Sequence, residues 1–220
     1  MTNTTETGQR PKRKLFVAGI AGAVAALAAV YVIVSPNGNS IGATSCTQAL
    51  KTAQNVKPFA TGEVAAFLPA QKPLPLSELT FKNPDGTVAT MLDFKGKTVL
   101  MNLWATWCAP CRKEMPALND LQADLGSEDF EVVAVNLDRG GLDKPKAFLA
   151  EIGVDNLTLY HDGTNKLMTD LRSKARATGL PTTILVGQDG CEIGTMYGPA
   201  EWASGEAKKL IEAALKSVSG

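Results

Sequence analysis

The stretch Thr98-Val99-Leu100-Met101-Asn102-Leu103-Trp104-Ala105-Thr106-Trp107-Cys108-Ala109-Pro110-Cys111 decides how this chain is read. Residues 98–104 form an apolar run of strand length, as expected for a central strand covered on both faces. Two cysteines follow at once, and residues 112–125 then place Met115, Leu118, Leu121 and Leu125 at the spacing of one helix face. A strand therefore delivers a dithiol to a helix N-terminus. Unpaired backbone N–H groups and the positive end of the macrodipole stabilise negative charge there. Only a thiolate attacks a disulfide, so Cys108 in the first turn suits thiol exchange, with Cys111 more buried one turn on. Pro110 fits the same turn, where a missing N–H costs nothing.

Working outward, residues 130–137 read as a second buried strand, 145–152 as a helix and 157–160 as a short strand. Residues 182–186 and 192–196 predict a hairpin turned at Asp189-Gly190, and 205–218 a terminal amphipathic helix. Upstream, 46–69 favours one or two short helices. Pro73, Pro75 and Pro84 punctuate the stretch containing Leu79-Thr80-Phe81, and Asp85-Gly86 marks a turn between possible strands. The plan is α/β around one sheet.

With 220 residues, 45% apolar and 20% charged, the chain fits one globular domain plus additional sequence. Net charge is zero and no Lys/Arg block follows the first 20 residues, so a nucleic-acid footprint is missing. The additional sequence is N-terminal. Residues 1–14 are polar and close with Arg10, Lys12, Arg13 and Lys14, whereas 15–34 contain no charge and no strongly polar side chain. As a helix that run spans roughly 30 Å, enough to cross a bilayer. The basic flank predicts a cytoplasmic tail over 1–14, a transmembrane anchor over 15–34 and everything beyond Ser35 outside the cytoplasm. A cleaved signal peptide has a shorter apolar region and a clearer small-residue site than Ile41-Gly42-Ala43 offers. Lipidation of Cys46 is a weaker third reading, because Ala43-Thr44-Ser45 lacks a large aliphatic residue and Cys191 would be orphaned. Residues 35–45 predict a flexible linker with a reach of roughly 18 Å, and 46–220 the extracytoplasmic domain.

Four cysteines are too few for a disulfide scaffold. A structural zinc site needs four ligands, yet Cys46 and Cys191 are remote in sequence and the single histidine, His161, reads as a turn residue beside Asp162-Gly163. Haem attachment needs a histidine directly after Cys111, where Arg112 stands. The methionines show no clustered copper-binding spacing, so neither a metal nor a cofactor is expected. With the local pair set aside, Cys46 and Cys191 have only each other as intramolecular partners, and an oxidising compartment makes a structural bridge reasonable.

The segment from Asn102 to Pro116 resembles the active-site segment of the TlpA and ResA branch of the thioredoxin superfamily. The resemblance continues through 130–137, Gly179-Leu180-Pro181-Thr182-Thr183 and Gly198-Pro199-Ala200-Glu201-Trp202. The anchor and the extra pair Cys46 and Cys191 are similar to the TlpA side of that branch, which supports the bridge. It implies a thioredoxin fold, a central mixed sheet flanked by helices, here with an N-terminal extension and one transmembrane helix. It further implies Cys108 as nucleophile, Cys111 as resolving thiol, and Pro181 as the cis proline facing the dithiol. Asn102 departs from cytoplasmic thioredoxin, which has at that point a buried aspartate that assists proton transfer. An amide cannot take a proton, so the role is absent or moved. Glu114 matches an acidic residue of the ResA-like members; partly desolvated, its carboxyl could titrate high and carry the Cys111 proton, while the plain alternative is a solvated first-turn residue.

The resemblance implies a thiol:disulfide oxidoreductase of the inner membrane with its domain in the periplasm. Its implied task is to reduce a Sco-type copper chaperone and oxidase subunit II in cytochrome aa3 oxidase biogenesis. Reduction of apocytochrome c in cytochrome c maturation is the close alternative, and either requires a membrane electron donor of the DsbD or CcdA type. The competing class is a non-catalytic tethered metal-binding module that uses the same cysteines as soft ligands.

Overall fold

The structure is a computed structural model that describes residues 46–217; the expected tail, membrane span and linker lie outside these residues. Among the described residues no helix is long and apolar enough to cross a membrane.

The strands are β1 (Leu68–Pro69), β2 (Thr80–Lys82), β3 (Val88–Thr90), β4 (Thr98–Trp104), β5 (Phe130–Asn136), β6 (Tyr160–His161), β7 (Thr182–Val186) and β8 (Glu192–Tyr197). The α-helices are α1 (Thr47–Val56), α2 (Ala109–Leu125), α3 (Asp143–Glu151), α4 (Lys166–Ser173) and α5 (Gly205–Lys216). They build one mixed sheet in the order β1-β8-β7-β4-β5-β6-β2-β3. β4 runs parallel to β5 and antiparallel to β7, so the quoted stretch lies in the interior of the sheet.

All seven residues of β4 are buried, which is possible only because both faces are covered. Leu100 and Trp104 join the core on one face with Met115, Leu118 and Leu121 of α2 and Leu210 and Ile211 of α5. Val99, Met101 and Leu103 join the core on the other face with Phe81, Tyr160 and the α4 residues Leu167, Met168 and Leu171. This alternation is the two-residue period of a strand. β5 divides the same way, Val132 and Ala134 to the first face and Val133 and Val135 to the second.

Several expectations need correction. The helix of residues 166–173 was not foreseen, and the strand expected at 157–160 is Tyr160–His161, since only Tyr160 and His161 pair with β5. His161 is therefore a strand residue and not a turn residue; its Nε2 lies 2.8 Å from the Asp138 carbonyl oxygen. The 46–69 stretch contains α1 and two short 3-10 turns, then β1, which pairs with the edge of β8. The hairpin turn at Asp189-Gly190 forms as expected, with Gly190 at φ 73°, a left-handed conformation that favours glycine.

Cys46 and Cys191 form a disulfide with Cα atoms 5.5 Å apart and a sequence separation of 145. The bridge ties the start of α1 to the start of β8. Further ties run along the same seam: Ala49 N donates to Asp189 Oδ2 at 3.1 Å, and Gln48 Nε2 donates to the Ser217 carbonyl at 2.8 Å.

Candidate active site

β4 ends at Trp104, and a three-residue loop carries the chain to Cys108. That loop is held from β5: Leu137 N donates to the Trp104 carbonyl at 2.9 Å. Asp138 accepts from Thr106 N at 2.9 Å, from Thr106 Oγ1 at 2.8 Å and from Asn136 Nδ2 at 2.7 Å. Burial pushes the Asp138 carboxyl up, but these hydrogen bonds, with the nearby Lys144 charge, outweigh it and hold the group below the usual carboxylate range. A carboxylate held in its charged form thus braces the segment leading to the dithiol.

Cys108 is the N-cap of α2, and its Sγ accepts from Cys111 N at 3.3 Å. The first intrahelical bond, Arg112 N to the Cys108 carbonyl at 3.1 Å, starts the helix there. Cys108 and Cys111 are joined as a disulfide. Cys108 retains 6% exposure and Cys111 none, so a partner reaches Cys108 first. Trp104 lies in the core, whereas Trp107 is 65% exposed beside Cys108.

Pro181 is buried and its peptide with Leu180 is cis. The β4–β7 register pairs Leu103 with Thr182, which puts Pro181 at the end of the sheet that carries the dithiol loop. Pro181's carbonyl accepts from Gly198 N at 3.0 Å.

Glu114 sits three residues after Cys111, hence on the same helix face. It is 3% exposed, so the solvated alternative does not hold. Oε1 accepts from Asn102 Nδ2 at 2.8 Å; Oε2 accepts from Ala200 N at 3.2 Å and Trp202 Nε1 at 3.3 Å. Burial drives the Glu114 carboxyl up to about 7, against the opposing pull of those three donors. Asn102 also donates to Thr183 Oγ1 at 3.0 Å, while its own buried Oδ1 has no partner among the described residues. Every hydrogen bond drawn to Glu114 comes from a donor, so the cage as it stands fits the carboxylate. A half-turn of the Asn102 amide would turn Oδ1, an acceptor, toward a protonated Glu114. Asn102 thus holds a carboxyl on the neighbouring helix instead of carrying one.

The sequence had singled out Cys108, Cys111, Glu114, Asn102 and Pro181, and the structure brings them to one end of the sheet. It had assigned no role to Asp138, Thr106, Thr183 or Ala200. The segment around Trp202 belongs to the stretches that carry the resemblance, which is the one signal in the sequence for its place beside Glu114.

A family model described as Redoxin matches residues 69–213. The chain belongs to the Redoxin family. Within it the relatives are of the TlpA/ResA type: the thiol-disulfide oxidoreductase ResA of Bacillus cereus is 30% identical over 139 residues, 61% of this chain and 71% of that protein. The solution structure of a thiol:disulfide interchange protein from Bacteroides sp. superposes with a TM-score of 0.52 at 26% identity, covering 68% of this chain and 91% of that one. A secreted thiol-disulfide isomerase from Corynebacterium glutamicum shares the fold, with a TM-score of 0.55 at 20% identity over 70% of this chain and 93% of that one. Family membership together with the Cys108–Cys111 dithiol at the head of α2 makes this Redoxin a thiol:disulfide oxidoreductase.

Proposed function

We propose that the chain is a membrane-anchored periplasmic reductant of client disulfides, serving cytochrome aa3 oxidase biogenesis through a Sco-type copper chaperone and oxidase subunit II. The observation that carries the thiol-exchange chemistry is the pairing of a slightly exposed Cys108 with a buried Cys111 one turn before a buried, high-titrating carboxyl; the reducing direction comes from the resemblance to the TlpA and ResA branch. In the forward step the Cys108 thiolate attacks a client disulfide, forming a mixed disulfide and releasing one client thiolate. Glu114 takes the Cys111 proton, and the Cys111 thiolate then displaces the second client thiolate. The client gains two electrons and becomes a dithiol, while Cys108 and Cys111 become the disulfide. The chain must then be recharged with two electrons, for which a membrane donor of the DsbD or CcdA type is proposed.

The charge-free run of residues 15–34 and its basic flank support the anchor and the orientation, and the Cys46–Cys191 disulfide suits an oxidising compartment. Trapping tests the client assignment. Full-length Cys111→Ser in its own membranes should hold clients on Cys108 as mixed disulfides, identified by mass spectrometry. Recovery of the copper chaperone and oxidase subunit II is the expected result; recovery of apocytochrome c instead would move the assignment to cytochrome c maturation.

A further inference from the structure

Next to the dithiol, a cleft of about 650 Å3 opens between Trp107, the exit of β5, the first turn of α3, α4 and the turn that precedes Pro181. Trp107, the residue before Cys108, and Leu180, whose peptide with Pro181 is cis, both line it. Arg139, Lys144 and Arg172 stand around it, all exposed, and none has an ion-pair partner among the described residues. The acidic group lining the cleft is Asp138, which is 4% exposed and has its oxygens committed to Thr106 and Asn136. Lys144 acts on that carboxylate, but Arg139 and Arg172 remain to face a ligand. The neighbouring Asp143 does not line the cleft. Two cations beside the approach to Cys108, Arg139 and Arg172, thus have no ion-pair partner among the described residues, on a chain whose net charge is zero.

We propose that this cleft receives an extended segment of the client polypeptide carrying acidic side chains close to the client cysteine. The proposal rests on the oxidoreductase reading and specifies its substrate. Charge complementarity gives the occupant: Asp or Glu side chains paired with Arg139 and Arg172 would hold the client strand against Trp107 and Leu180 with its disulfide over Cys108. Opposite charges at the mouth of a cleft also speed encounter, and such steering weakens as salt rises.

The test uses three peptides of equal length, each closed by one internal disulfide and flanked by pairs of Glu, Gln or Lys. Second-order rate constants for their reduction by the reduced full-length protein are normalised to those with dithiothreitol, which removes differences in intrinsic reactivity. At about 20 mM salt the Glu peptide should react about ten-fold faster than the Lys peptide, and at about 0.5 M the two should agree within about two-fold. In Arg139→Glu/Lys144→Glu/Arg172→Glu the order of the two peptides should reverse. Should that variant not fold, Arg172→Gln alone should lower the Glu-to-Lys ratio, and the salt response of the unaltered protein decides without any variant. Equal rates at low salt would overturn the cleft assignment while leaving the dithiol chemistry intact. A requirement for the three cations in binding phosphatidylglycerol vesicles, without peptide preference, would assign them to lipid headgroups and overturn it as well. Failure to reduce even the Gln peptide would refute the oxidoreductase reading, and the cleft proposal with it.

Discussion

Replacing Glu114 by glutamine converts the high-titrating carboxyl into a group that never ionises, and the structure fixes what that should do to stability as pH changes. An ordinary glutamate ionises near 4.5, whereas burial raises Glu114 to about 7. The folded chain therefore binds this proton more tightly than the unfolded chain does. Across the interval between those two values the folded state holds more protons, so stability falls as pH rises. Below pH 4.5 the group contributes nothing either way, and above 7 the full penalty is present. At 1.36 kcal/mol per pH unit the penalty is about 3 kcal/mol. Urea unfolding of the oxidised protein from pH 4 to 8.5 reads it directly. Unaltered protein should lose about 3 kcal/mol more across the interval than Glu114→Gln, with most of the divergence complete by pH 7.5. The amide also meets three donors where the carboxylate met three donors, so one of its N–H groups is mismatched unless Asn102 turns over. That mismatch costs about 1–3 kcal/mol independently of pH, so the shape of the curve and not its offset is diagnostic. Parallel curves for the two proteins would refute a buried, titrating Glu114.

The same group should leave its mark on thiol exchange: the pH–rate profile of the unaltered protein should show an inflection near 7 that Glu114→Gln removes, and an unchanged profile would eliminate the proton-carrier role. Asn102→Asp sets a second carboxyl 2.8 Å from Glu114 Oε1, so the two should share a proton and the upper inflection should rise by about one pH unit or more, read from the same profile. Cys46→Ser/Cys191→Ser opens a loop closed across 145 residues, which chain-entropy reasoning values at about 5 kcal/mol. Its urea midpoint should drop accordingly, while reduction of a model disulfide by the Cys108/Cys111 dithiol persists at temperatures where the variant stays folded.

What the sequence revealed was local. β4 and α2 were legible because a mostly apolar run of strand length and two cysteines three residues apart lie side by side, and because Met115, Leu118 and Leu121 keep helical period. α4 was not: its eight residues bury only Leu167, Met168 and Leu171, two turns at most of a helical period, and its N-cap, Asn165, sits at φ 65° without a side-chain capping bond. β1 and β6 are two residues each, too short to show alternation, and exist because β8 and β5 offer them an edge. At the site, Glu114 and Asn102 were nameable from resemblance, but the environment that sets the carboxyl's titration depends on Ala200 and Trp202, 86 and 88 residues away. No local pattern encodes that approach. The basic cleft is similarly a product of the fold, since Arg139 comes from the turn after β5, Lys144 from α3 and Arg172 from α4.

The most direct test of the account is a single-turnover reaction in metal-free buffer between the dithiol form of the full-length protein and a disulfide-bonded client, with thiols on both partners counted by alkylation and mass. The account predicts that one client disulfide disappears for each Cys108–Cys111 disulfide formed, with Cys46–Cys191 unchanged throughout. Absence of exchange, or exchange whose electrons come from the Cys46–Cys191 pair, would contradict it.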